Sequence, residues 1–153
     1  MLENGSGYEE DVVSGIDWCV NQNVNIISLS LGGGQDLFPL LGSSSRTIED
    51  SVNDAMARGI FVVAAAGNDG GEEDDGDVAS PGSERRVTCV GGVTQSGSHW
   101  SKSSTGNNAV SFFPPKLPRG DPDKKPELVA PAKDVPVLNA QGTWSSSSGT
   151  SAA

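Results

Sequence analysis

Histidine is almost missing: the sequence holds one, His99, among 153 residues. His99 stands in a polar turn region after an apolar stretch and reads as a surface residue. Cysteine is scarce as well. Cys19 and Cys89 are too few for a disulfide framework. One falls in an expected helix and the other in an expected strand, and both read as small buried hydrophobes. No apolar run approaches the roughly 20 residues a membrane helix needs, so no membrane partner is expected. The first residues, Met1 to Gly5, lack the basic-then-apolar pattern of a secretory signal. Basic residues are outnumbered 10 to 20, giving a net charge of −10. Such a surface repels phosphate backbones, which argues against nucleic acid as a partner. Gly32-Gly33-Gly34 lacks the G-x-G-x-x-G spacing and any phosphate-binding Lys, which argues against a nucleotide. There is no internal repeat and no low-complexity tract. One domain covering residues 1–153 is expected.

What is present alternates between helical and strand patterns. Ser6-Gly7-Tyr8-Glu9 reads as a capping box. Val12, Ile16 and Cys19, flanked by Val13 and Val20, then give a helix one apolar face from about Tyr8 to Asn21. Val24 to Leu31 reads as a buried strand. Thr47-Ile48-Glu49-Asp50 opens a second helix with acid in its first turn, and Ile48, Val52, Ala55 and Met56 keep its period. Gly59 is placed to end it. Ile60 to Ala66 is apolar throughout, as expected of a strand covered on both faces in a parallel sheet. Val87 to Thr94 is a third strand. Leu128-Val129 is a short apolar element, and Val135 to Leu138 a further short strand. Residues 69–77 carry six acids and read as an exposed loop. Phe112 to Lys125, with four prolines, reads as a surface loop. The pattern is that of an α/β fold, a doubly wound, mostly parallel sheet with helices on both faces. Ligands of such sheets bind beyond the C-terminal ends of the strands. That rule brings Ser30-Leu31-Gly32-Gly33 and Gly67-Asn68 together on one edge.

Four strings occur in order: Ser30-Leu31-Gly32-Gly33, Ala64-Ala65-Ala66-Gly67-Asn68, Pro126-Glu127-Leu128-Val129-Ala130-Pro131 and Gly149-Thr150-Ser151-Ala152-Ala153. Taken together they resemble the subtilisin-like serine proteases, or subtilases, from about Gly7 to Ala153. The resemblance implies a serine endopeptidase that works through an acyl-enzyme. Ser151 would be its nucleophile and Asn68 its oxyanion donor. Ser30, Leu31 and Gly32 would pair with substrate backbone. Ala65, Ala66, Gly67 and Ala79 would wall the pocket for the residue before the cut, left open by the small Ala79.

The sequence also departs from the family pattern. No Asp-Thr-Gly and no His-Gly segment is present, and His99 does not match the catalytic histidine. Ala132 and Ser148 stand where glycine and an apolar residue are usual. The resemblance therefore implies a partial catalytic domain over 1–153, truncated at both ends and inactive alone, whose exposed apolar surface promotes self-association. No cofactor is required. Calcium is the metal to consider: the acidic 69–77 loop offers it oxygens, and resemblance to the proteinase K-like subtilases implies a second site, built from the backbone carbonyls of Arg85 and Val87 and the carboxylate of Glu127. The partner implied is a protein or peptide substrate, and the compartment implied for the full-length protein is extracellular. The other reading is a non-catalytic subtilase-like binding module, a pseudo-protease that takes calcium.

Overall fold

The computed structural model describes residues 7–32, 46–70, 78–106 and 124–153. Helix α1 (Glu9–Asn21) leads to strand β1 (Ile26–Leu29), helix α2 (Ile48–Ala57) and strand β2 (Phe61–Ala65). Strands β3 (Thr88–Val93), β4 (Leu128–Pro131), β5 (Val135–Leu138) and β6 (Trp144–Ser147) follow, and a 3-10 turn covers Thr150–Ala152. Strands β1 to β4 form one sheet in sequence order, every pair parallel. Strands β5 and β6 form a separate antiparallel hairpin.

Local chemistry sets the ends of both helices. Thr47 caps α2 with a capping box: its hydroxyl accepts from Asp50 N, and the Asp50 carboxylate accepts from Thr47 N. The capping box expected at Ser6 to Glu9 is not what starts α1. The N-cap is Tyr8, without a side-chain bond, and Ser6 lies outside the described residues. Glu9 instead turns its carboxylate to Ile48 N, 3.0 Å away, and so serves the head of α2. Both helices end in the same motif. The amides of Asn23 and Val24 reach back to Val20 and Cys19, and those of Gly59 and Ile60 to Met56 and Ala55. Asn23 and Gly59 take the left-handed conformation this needs, at φ 55° and 85°. A side chain there costs about 1–2 kcal/mol, which glycine avoids and asparagine tolerates.

The core lies between the helices and one face of the sheet. Ile16 and Val20 of α1 and Val52, Ala55 and Met56 of α2 pack against Ile27, Leu29, Val62 and Ala64. Each of the valine, leucine, isoleucine and methionine side chains, fully buried, contributes about 1.5–3 kcal/mol. The apolar stripe of α1 centres on Val13, Ile16 and Val20, with Val12 and Cys19 at its half-buried margin. The α/β fold with a mostly parallel sheet is as expected, and both described α-helices lie on the same face of it. Coverage of β1 and β2 on both faces does not hold among the described residues. Ile26 is 62% exposed and Phe61, its partner in register, 53%. Leu128 of β4, 58% exposed, shares that open face by strand alternation.

The hairpin positions the end of the chain. Asn139 shapes its tip, accepting from Gln141 N and Thr143 N through Oδ1. At its base Asp134 N donates to Ser148 Oγ, and Gly149 N to Ala132 O at 2.8 Å. The chain leaves β4 and returns to the same place, which sets Thr150 and Ser151 beside the ends of the strands.

Candidate active site

Parallel pairing of β1 with β2 brings Leu29 level with Ala64. The segments that leave those strands, Ser30-Leu31-Gly32 and Ala66-Gly67-Asn68, therefore emerge together, as the strand-end rule requires. Gly33 lies outside the described residues. A cleft of about 320 Å³ opens there, lined by Leu31, Gly32, Ala65, Gly67, Asn68, Asp69, Ala79, Thr150 and Ser151.

The glycines are where close approach demands them. A Cβ on Gly32 would sit 2.9 Å from Ala79 Cβ, and one on Gly67 would sit 2.9 Å from Ser104 Oγ. Gly67 also has φ 106°. The segment that carries Ala79 is held by Ala79 N on Ala66 O. Ala66 itself does not line the cleft. Its side chain is buried with Val78 and Cys89, so its contribution is the backbone on either side.

Thr150 joins the two halves of the site. Its backbone N–H donates to Asn68 Oδ1 at 2.8 Å, and its hydroxyl lies 3.1 Å from the same oxygen and from Gly67 O. Gly67 N donates back to Thr150 Oγ1 at 3.1 Å. The carbonyl end of the Asn68 amide is thereby fixed. Among the described residues no acceptor meets its Nδ2. Ser151 is exposed, on the 3-10 turn. Its hydroxyl donates to Ser30 O at 3.4 Å, and the Ser30 hydroxyl donates to Ser151 O at 3.3 Å. Both contacts are long and weak. His99 is exposed and pairs with Val93 in an isolated bridge, so Ser151 Oγ meets a carbonyl and not an imidazole.

The sequence and the fold are matched by known proteins. The subtilase family model matches residues 1–153. The chain belongs to the subtilase family. An intracellular serine protease of Paenibacillus polymyxa is 32% identical over 154 residues, covering all of this chain and 40% of its own length. Subtilisin DY of Bacillus licheniformis is 31% identical, covering all of the chain and 47% of its own. Among solved structures, sphericase superposes with a TM-score of 0.73 at 28% identity, over 99% of this chain and 47% of its own. The chain thus spans less than half the length of these curated relatives.

Two residues of the cleft carried no signal as isolated residue types. Thr150 sits inside the serine motif, but its clamp on Asn68 appears only when positions 82 apart meet. Asp69 reads as the start of an acidic loop, yet it lines the cleft and its N–H donates to Ser104 Oγ. The rest of the calcium candidate in that loop, residues 71–77, lies outside the described residues. At the other candidate, Lys125 overturns its reading as a surface residue: its side chain is 1% exposed. Its ammonium lies 2.5 Å from Val87 O and 2.6 Å from Glu127 Oε1, and Glu127 Oε2 accepts from Cys89 N at 2.8 Å. Two of the three groups expected to bind calcium, Val87 O and the Glu127 carboxylate, are already engaged by a cation and an amide. As arranged, these residues do not fit the metal. Cys89 is buried as expected and is a free thiol. Burial pushes it up to about 12, with Lys125 pulling down and Glu127 pushing up as lesser influences.

Proposed function

We propose that this chain supplies the nucleophile, the oxyanion donor and a substrate wall of a serine endopeptidase. The observation that carries this reading is the clamp of Thr150 on Asn68 Oδ1, which leaves the amide N–H end for the cleft in which Ser151 stands. Ser151 Oγ attacks the scissile carbonyl and forms the acyl bond as the amine leaves. Asn68 Nδ2 donates to the oxyanion that develops. Water then attacks the acyl group and restores the hydroxyl. The proton of Ser151 passes to a base and from it to the leaving amine. That base, and the acid that orients it, come from sequence outside these 153 residues. Ser30, Leu31 and Gly32 take the substrate backbone as an added strand. Ser30 O is then the acceptor that Ser151 Oγ gives up. The small walls of Ala65, Gly67 and Ala79 admit a large side chain before the cut.

Treating the full-length protein with a fluorophosphonate is expected to label Ser151, and Ser151→Ala to abolish the label. A full-length protein that folds and takes no label overturns the enzyme and leaves the subtilase-like binding module. Extracellular residence is proposed for the full-length protein, although two relatives carry the name intracellular. Cell fractionation decides it. The open sheet face carrying Ile26, Phe61 and Leu128 also leads us to expect that the 153-residue chain self-associates when purified alone. Sedimentation velocity should show mass rising with concentration. A monomer at every concentration refutes it.

A further inference from the structure

We propose that the ammonium of Lys125 is a built-in substitute for a metal ion, so that this cation site is filled by the protein itself and takes no calcium. The site has the marks of one made for a cation. A backbone carbonyl, that of Val87, and a carboxylate, that of Glu127, converge on one point, and Nζ of Lys125 occupies it at 2.5 and 2.6 Å. The second carboxylate oxygen is tied to Cys89 N, which fixes the carboxylate relative to β3. Glu127 N in turn donates to Cys89 O. The backbone of Lys125 is held as well as the head. Gly106 N donates to Lys125 O, and a Cβ on Gly106 would meet Lys125 Cβ at 2.8 Å and Val78 Cγ2 at 3.1 Å.

An ammonium at the end of such a stem is a positive charge with three N–H donors and needs few acceptors. Calcium needs six to eight oxygens, and here it would have to displace a buried like charge to reach two of them. The links made by Lys125 run between the start of β3 and the start of β4. The segment that brings Ala79 to the cleft ends at Val87, so Lys125 anchors that wall from behind. It is a positioning residue, remote from the reacting atoms.

The test is thermal unfolding of the full-length protein, with no readout of activity, so it stands apart from the proposed endopeptidase. Lys125→Ala is expected to lower Tm in EDTA. Calcium or ethylammonium should recover most of the loss, and ethanol at the same concentration should not. Lys125→Met keeps the bulk of the stem and is expected to lose Tm with no recovery by either cation. A Lys125→Ala protein as stable as the parent, or one that neither cation recovers, overturns the proposal. Terbium luminescence on the unaltered protein gives a second measurement should Lys125→Ala fail to fold. A signal that is lost in Glu127→Gln means that a metal enters beside Lys125 and overturns the proposal. A signal indifferent to Glu127→Gln, or none, supports it.

Discussion

In the complete enzyme, Asn68→Ala is expected to lower kcat by about 10²- to 10³-fold and to leave KM within a few-fold. The size is that measured when subtilisin loses its oxyanion amide, not a value calculated from this geometry. The direction follows from the geometry. Thr150 holds Asn68 Oδ1 with its N–H, so turning the amide over would set an NH2 against an N–H and sacrifice that bond. Nδ2 is the end left for the cleft. A substrate carbonyl is a weaker acceptor than the oxyanion, so the lost bond is felt chiefly after attack. Asn68→Asp separates donation from support of Thr150. It keeps an acceptor for the Thr150 N–H but offers no N–H to the oxyanion, and should lose as much kcat as the alanine variant. Steady-state kinetics on a chromogenic peptide decide the matter. A raised KM with kcat preserved would mean uniform binding and would remove Asn68 from the role.

The helices, the parallel strands and the site's edge were readable because each rests on local pattern. The α2 capping residues, Gly59 and the β-branched runs of β1 and β2 announce themselves within ten residues. Three features did not. Trp144 to Ser147 is a strand of one aromatic and three serines, and only pairing with Val135–Leu138 makes it one. Ile26 and Phe61 have the composition of doubly covered strands, yet among the described residues one face is open. Composition reports what a residue tolerates and not what lies over it. Lys125 sits at the end of a proline-rich stretch and looks solvated. Its burial depends on Val87 and Glu127, the first of them 38 positions away, which no local window contains. Ser151, Asn68 and the glycines of the cleft were visible as motifs. Their convergence came from the parallel register of β1 and β2 and from the hairpin that returns Gly149 to Ala132. The displacement of Ala66 from the cleft wall has the same origin. Alternation along the segment turns its side chain to Val78 and Cys89 while its neighbours Ala65 and Gly67 line the cleft.

The 153-residue chain by itself is expected to hydrolyse no peptide above the uncatalysed rate. A serine hydroxyl is a poor nucleophile near neutral pH unless a neighbouring base takes its proton. The chain's one imidazole, His99, is exposed and paired with Val93, and Ser151 Oγ rests on the carbonyl of Ser30. A carbonyl accepts a hydrogen bond but does not carry a proton away at this pH. In subtilisin, loss of the serine or the histidine alone costs about 2 × 10⁶ in kcat, nearly as much as loss of the whole triad, a figure taken from that enzyme. Asn68 could still polarise a bound carbonyl, because its clamp does not involve a base. That residual help depends on a nucleophile held in line, and the contacts of Ser151 at 3.3 and 3.4 Å hold it loosely. The measurement is the rate of fluorophosphonate labelling of the purified chain, with Ser151→Ala as its control. Slow labelling that is the same in both proteins is the expected result. Fast labelling that vanishes in Ser151→Ala would show that a base within these 153 residues reaches Ser151, and the source of the base would then have to be sought among the chain's own side chains.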